Sequence, residues 1–113
     1  MPKRKLDPLS AVAFQIMLAL SAGELHGYAI MREVEQQTGG RLRLGPGTLY
    51  GSIQALLEGK LIEEVDRPAE TERRERYYRL TVAGRKLARS EAEKMADVLR
   101  VARARKILRG DYV

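Results

Sequence analysis

An α+β fold, mainly α, is predicted for this 113-residue chain by three observations. Apolar residues recur at helical spacing in four segments, and two short segments between the third and fourth have β-type composition. Glycine and proline punctuate the boundaries of those segments. With 44% hydrophobic and 32% charged residues, the chain reads as one folded domain, neither disordered nor fibrous.

The first helix is predicted from Asp7, a capping residue, and Pro8, suited to a first turn, up to Gly23. Leu9, Val12, Ala13, Ile16, Met17 and Leu20 form one apolar face, while Phe14 and Leu18 lie off it. A helix apolar on two sides is either deeply buried or shared between a core and a partner subunit. A second helix is predicted from about His26 to Thr38, with Ile30, Met31 and Val34 inward and Gly39-Gly40 ending it. Arg41-Leu42-Arg43-Leu44 alternates as a short strand would.

The third helix is expected over Pro46–Glu58, with proline at its first position and Gly59 just past its end. Leu49, Ile53, Leu56 and Leu57 are its apolar set. Leu61–Asp66 and Arg76–Leu80 read as strands joined by a charged hairpin tip at 67–75. Thr81 then caps a final helix reaching to about Arg109, roughly 28 residues and about 42 Å long at a rise of 1.5 Å per residue.

Two short helices, a third helix and a two-stranded hairpin make the element order of a winged helix-turn-helix, here over residues 1–80, with a long C-terminal helix in 81–113. In that arrangement the third helix enters the DNA major groove, which admits a helix only if its outer face lacks bulky apolar groups. On a helical wheel that face holds Gly47, Thr48, Gly51, Gln54, Ala55 and Glu58, with Tyr50 and Ser52 at its borders. Gly51 leaves the backbone free to approach the groove, and Thr48, Ser52 and Gln54 can reach base edges or phosphates. A solvated polar face with an incidental glycine is the competing reading.

On the hairpin, Arg73, Arg74 and Arg76 suit phosphate contact, but interleaved Glu70, Glu72 and Glu75 leave self-neutralising surface pairs open. Lys3, Arg4 and Lys5 form either a backbone-binding arm or a disordered tail. In the last helix Gly84, Ala88, Ala92, Met95, Leu99 and Ala102 line a seam at 4,4,3,4,3 spacing, suited to a second copy of the chain or to an internal core stripe. A two-fold dimer would match a palindromic DNA site.

The net charge of +6 points to an acidic partner, but residues 80–113 supply nine basic and four acidic side chains, so charge does not locate a binding face. The basic start is followed by an apolar stretch interrupted by Asp7, Pro8, Ser10 and Gln15, which is unlike a signal peptide and predicts a cytoplasmic protein. No apolar run approaches the roughly 20 residues of a membrane span, so no membrane partner is expected. Zero cysteines exclude disulfides and thiolate metal sites. A single histidine, His26, without a ligand cluster predicts a capping or packing role. No nucleophile elbow, phosphate-binding glycine loop or zinc spacing occurs, so neither catalysis nor a cofactor or metal is expected.

His26-Gly27-Tyr28, Gly47-Thr48-Leu49-Tyr50, Leu56, Glu58-Gly59, Leu61-Ile62, Arg76-Tyr77-Tyr78-Arg79-Leu80-Thr81 and Gly84 together resemble the PadR family of transcriptional regulators, over roughly residues 9–110. The resemblance is to its short subfamily, with one C-terminal dimerisation helix. It implies a cytoplasmic bacterial homodimer that represses transcription by occupying operator DNA. It assigns DNA contact to Thr48, Tyr50, Ser52 and Gln54 and to the hairpin arginines, beside the close approach at Gly51. Dimer contacts fall to Phe14 and Leu18 on the first helix, and to Ala88, Ala92, Met95, Leu99 and Ala102 on the last. Some family members bind small aromatic effectors near the dimer interface. With no Trp and a single Phe here, no residue is assigned to an effector, whose identity stays open. The alternative is a protein-interaction module on the same fold that has lost DNA binding, motivated by the acidic residues of the hairpin and by Glu58.

Overall fold

The structure, a computed structural model, describes residues 9–66 and 76–109. The elements run α1 (Ala11–Leu20), β1 (Leu25–His26), α2 (Gly27–Gln37), α3 (Pro46–Glu58), β2 (Ile62–Val65), β3 (Tyr77–Leu80) and α4 (Val82–Ala104). The predicted helix-rich α+β fold is observed.

α1 is the central element of the core. Ala13, Phe14, Ile16, Met17, Ala19 and Leu20 are all buried, so of the second apolar side foreseen for this helix Phe14 is covered within the chain while Leu18 is half-buried. α2, α3, α4 and β3 pack around it. Full burial of side chains such as Ile16, Met17 and Leu20 contributes roughly 1.5–3 kcal/mol each before conformational entropy is set against it. Ser10, not Asp7, caps α1: its hydroxyl accepts from the Ala13 N–H at 3.0 Å. Asp7 and Pro8 lie outside the described residues, as do Lys3, Arg4 and Lys5.

α2 begins with His26, whose Nδ1 accepts from the Ala29 N–H at 3.2 Å, and its ring meets Tyr77 edge-on at 5.4 Å. The expected capping and packing role of this histidine is what the geometry shows. The connection from α2 to α3 is not the strand expected at Arg41–Leu44. Thr38 holds it instead, its hydroxyl donating to the Val34 carbonyl and accepting from the Leu42 N–H. Gly39 and Gly40 take φ of +61° and +83°, which reverses the chain. Leu42 and Leu44 alternate inward as anchors of this turn, and among the described residues no strand pairs with it.

The third strand of the sheet is β1, which pairs antiparallel with β3 (Leu25 with Tyr78, His26 with Tyr77). β3 also pairs with β2, placing Ile62 opposite Leu80 and Val65 opposite Tyr77, so the order is β1-β3-β2. Tyr78 and Ile62 bring this sheet into the core.

α3 ends in a Schellman turn: the Leu61 N–H bonds to the Leu56 carbonyl and the Lys60 N–H to the Leu57 carbonyl. The left-handed position falls on Lys60 (φ 59°), one residue beyond the expected Gly59. Thr81 caps α4 as predicted, accepting from the Gly84 N–H, while its hydroxyl donates to the Lys60 carbonyl at 2.8 Å. α4 ends at Ala104, short of the expected Arg109. Lys106 adopts φ 64° there, and the N–H groups of Ile107 and Leu108 fold back onto the Ala102 carbonyl.

Candidate nucleic-acid interface

α3 is amphipathic in the sense required of a groove-binding helix. Leu49, Ile53 and Leu56 are buried against the body, with Leu57 half-buried. Thr48, Tyr50, Gly51 and Gln54 are exposed, and Ser52 is partly covered. All five predicted contact residues of this helix therefore lie on, or at the border of, one solvent-facing surface. Gln54 rests its amide near the Glu58 carboxylate at 3.4 Å, one turn further on.

The glycines of this region fall into two classes. A β-carbon placed at Gly45, Gly47 or Gly51 would meet nothing within 4 Å. A β-carbon at Gly27 would overlap the Tyr50 phenol, and one at Gly84 would overlap the Leu61 carbonyl. Gly27 and Gly84 thus satisfy packing within the chain, whereas Gly47 and Gly51 lower helix stability without an internal reason.

The amino end of α3 differs from those of the other helices. α1, α2 and α4 are each capped by a side chain (Ser10, His26 and Thr81), but Gly45 offers none, and Pro46 has no N–H to donate. The first-turn N–H groups of Gly47 and Thr48 have no intrahelical acceptor, and the helix dipole adds partial positive charge at this end. An anion such as a phosphate fits there.

The β2–β3 hairpin stands beside α3 as the wing. Arg76 lies 3.9 Å from Glu64, and Arg79 bonds Glu63 at 2.7 Å and reaches Glu24 at 3.5 Å. The hydrogen bond and charge of Glu63 hold the Arg79 guanidinium more firmly protonated than usual. At the root of the wing, then, exposed arginines are partnered by acids. Arg73 and Arg74 lie outside the described residues. Burial raises the Tyr78 phenol above its ordinary pKa, helped by the nearby Glu64 carboxylate and the Tyr50 phenol.

α4 carries the other predicted contact set. Gly84 is its one buried residue and packs against Leu61 of its own chain, so it does not belong to the outward seam. Ala88 is half-buried against the core, Ala92 is exposed, Ala102 is partly covered, and Met95 and Leu99 are each 45% exposed. Val98 at 66% and Val101 at 49% widen this apolar face beyond the expected seam. Sequence periodicity could not find them, because β-branched residues at those positions suit a buried stripe equally well. Phe14 is buried within α1 and Leu18 is half-buried.

Among the described residues no group of three or more His, Asp or Glu side chains is arranged to hold a metal ion. No described helix is long and apolar enough to cross a membrane. One exposed feature was not anticipated. Tyr28, in the first turn of α2, is 59% exposed, with the Arg32 guanidinium over its ring at 5.7 Å.

A polar recognition helix set beside a β-hairpin, on a three-helix core, defines a winged helix-turn-helix regulator. The chain belongs to the PadR-like family of transcriptional regulators, which it matches over residues 16–90. An uncharacterised 37.1 kDa protein in a Streptomyces fradiae transposon is 48% identical over 81 residues, covering 72% of this chain and 22% of that protein. The chain thus spans about a fifth of that relative's length. A transcriptional regulator from Clostridium thermocellum superposes with a TM-score of 0.69 at 26% identity, over 82% of this chain and 90% of that one. Bacillus subtilis PadR, solved in complex with operator DNA, superposes with a TM-score of 0.66 at 20% identity, over 74% of this chain and 47% of that one; the likeness is of fold.

Proposed function

We propose that this regulator binds DNA sequence-specifically as a homodimer and represses transcription from a pseudo-palindromic operator. The observation that carries the reading is the outer face of α3, where Gly47 and Gly51 face open space between Thr48, Ser52 and Gln54. Residues that weaken a helix and serve no packing inside the chain fit a surface against which another backbone must come close. The uncapped start of α3 supplies N–H groups for a phosphate. Gln54 turned away from Glu58 can pair with adenine, Thr48 and Ser52 suit base edges or backbone, and Tyr50 lines the border. Arg73, Arg74 and Arg76 are assigned to the flanking backbone, with Arg76 exchanging Glu64 for phosphate.

The apolar face of α4 that runs through exposed Ala92, Met95 and Leu99 is assigned to the second protomer, with half-buried Ala88 and Ala102 at its ends, half-buried Leu18 of α1 beside it and buried Phe14 beneath as support. Residues 1–80 form the DNA-binding unit and 81–113 the dimerisation helix. Operator occupancy in a cytoplasmic compartment, with no cofactor and no chemistry of its own, completes the reading. Any effector would be a small molecule held between protomers.

The test is a gel-shift titration against the region upstream of the protein's own gene at two salt concentrations. Tight, salt-sensitive binding with sequence preference is expected, and Gln54→Ala should change base preference. Arg74→Ala should weaken all sequences alike and lower the salt slope by about 0.9. Absence of sequence preference at both salts would favour a protein-interaction module instead, a reading supported by the acid-paired wing root of Arg76, Arg79, Glu63 and Glu64.

A further inference from the structure

The packing face of α2 is Gly27, Ile30 and Val34, all buried. Tyr28 and Arg32, one turn apart, project from the opposite side. An aromatic ring that is 59% exposed gains little from burial, and the Arg32 guanidinium lies over its face at 5.7 Å. Several other exposed arginines of the described residues are held by carboxylates: Arg43 by Glu35 at 3.5 Å, Arg76 by Glu64, Arg79 by Glu63 and Glu24, and Arg100 by Asp97 at 2.8 Å. Among the described residues Arg32 is in no ion pair and is held by the ring instead. Stacking orders a long side chain while leaving its N–H donors and full charge available. The nearby Glu35, which would otherwise offset that charge, is drawn toward Arg43.

This pair sits at a defined place relative to α3. Gly27, adjacent to Tyr28, is the residue whose missing β-carbon admits the Tyr50 phenol, so the first turn of α2 abuts the amino-terminal half of α3. In a helix-turn-helix the helix ahead of the recognition helix crosses the nucleic-acid backbone. A guanidinium ordered on a ring and outside any ion pair, on the exposed side of that helix, has N–H donors to offer a phosphate oxygen pair.

We propose that Arg32, held in place by stacking on Tyr28, is a phosphate anchor for the DNA backbone next to the groove that α3 enters. The proposal rests on the DNA-binding reading above and adds a contact outside both α3 and the wing. Arg32 carries the charge, and Tyr28 is a positioning residue that acts through it. The contact is independent of base sequence, so it contributes affinity and orientation without specificity.

The experiment is an anisotropy titration of the full chain with two labelled duplexes, one from the region upstream of its own gene and one of mixed sequence. It is repeated across about 50–200 mM salt. Arg32→Ala is expected to weaken binding to both duplexes, roughly fivefold to tenfold at low salt, and to reduce the log–log salt slope by about 0.9. Arg32→Lys should keep the slope. Tyr28→Phe, which keeps the ring, should bind as the parent does, whereas Tyr28→Ala should lose part of the affinity. Both side chains are exposed, so the variants retain the fold. Unchanged affinity and slope in Arg32→Ala, with the parent binding steeply, overturns the anchor alone. Equal behaviour of Tyr28→Phe and Tyr28→Ala overturns the positioning role. A parent chain that binds neither duplex overturns both this proposal and the DNA-binding reading.

Discussion

The phenol of Tyr50 occupies the space into which a β-carbon at Gly27 would project. This contact brings α3 against the first turn of α2, beside the core that the two helices share. It also explains why glycine stands at the first position of α2. Gly27→Ala must push Tyr50 outward, since the phenol is the movable partner and is half exposed. A loss of about 1–2 kcal/mol in urea unfolding is expected, of the size seen for modest overpacking. In the double variant Gly27→Ala with Tyr50→Ala the two losses should be less than additive. Strict additivity would mean that the contact carries no coupling.

Gly84 and Gly51 should respond to alanine in opposite directions. At Gly84 the new methyl meets the Leu61 carbonyl, which belongs to the backbone and is itself hydrogen-bonded to the Thr81 N–H, so relief requires moving α4. A cost of roughly 2–4 kcal/mol is expected. At Gly51 the methyl meets open space, and the better helix propensity should stabilise the fold by about 0.5–1 kcal/mol. The same Gly51→Ala chain should bind operator DNA roughly tenfold more weakly, about 1.4 kcal/mol. Thermal melts and a gel shift on one preparation measure both; a more stable Gly51→Ala chain with unaltered DNA affinity would remove the close-approach argument.

Placing a charge on the apolar face of α4 should separate assembly from folding. Met95 and Leu99 are each 45% exposed, so Met95→Asp or Leu99→Asp costs the single chain little. In a dimer each would bury an unpaired carboxylate, which is unfavourable by several kcal/mol. Sedimentation should show the parent as a dimer and the variants as monomers with weaker operator binding. A dimer that persists in both variants would place the interface elsewhere.

Alkaline pH should weaken the fold through Tyr78. Its phenol is held above the ordinary value of 10.0 by burial first, then by Glu64 and Tyr50. An acid whose folded pKa is raised stays protonated in the folded chain after it has ionised in the unfolded one. Its contribution is therefore whole below about pH 10 and is lost as pH rises through the folded value. Urea midpoints measured from neutrality to beyond pH 10 should fall at the alkaline end. In Tyr78→Phe that fall should be smaller, and an identical fall would assign the effect to other groups.

How far the fold could be read beforehand differs from element to element, for physical reasons. α3 was legible to the residue because Pro46 marks its start and Leu49, Ile53 and Leu56 repeat at a helical period. Thr81 was legible as a cap because a hydroxyl before an apolar-periodic segment has few other local uses. Arg41–Leu44 misled, since two inward leucines on a turn produce the same alternation as a strand. β1 is two residues long, too short to show any period, and exists because β3 lies beside it.

The sequence by itself determined that a polar, glycine-bearing helix would present Thr48, Ser52 and Gln54 together, because helical periodicity puts those positions on one face whatever surrounds them. Only the tertiary structure decided which glycines serve packing and which do not, since the space around Gly27, Gly51 and Gly84 is set by residues distant in sequence. It also decided that Phe14 is buried within α1 while Val98 and Val101 stand exposed on α4. Local pattern reports which residues can be buried. What buries them depends on how the elements meet.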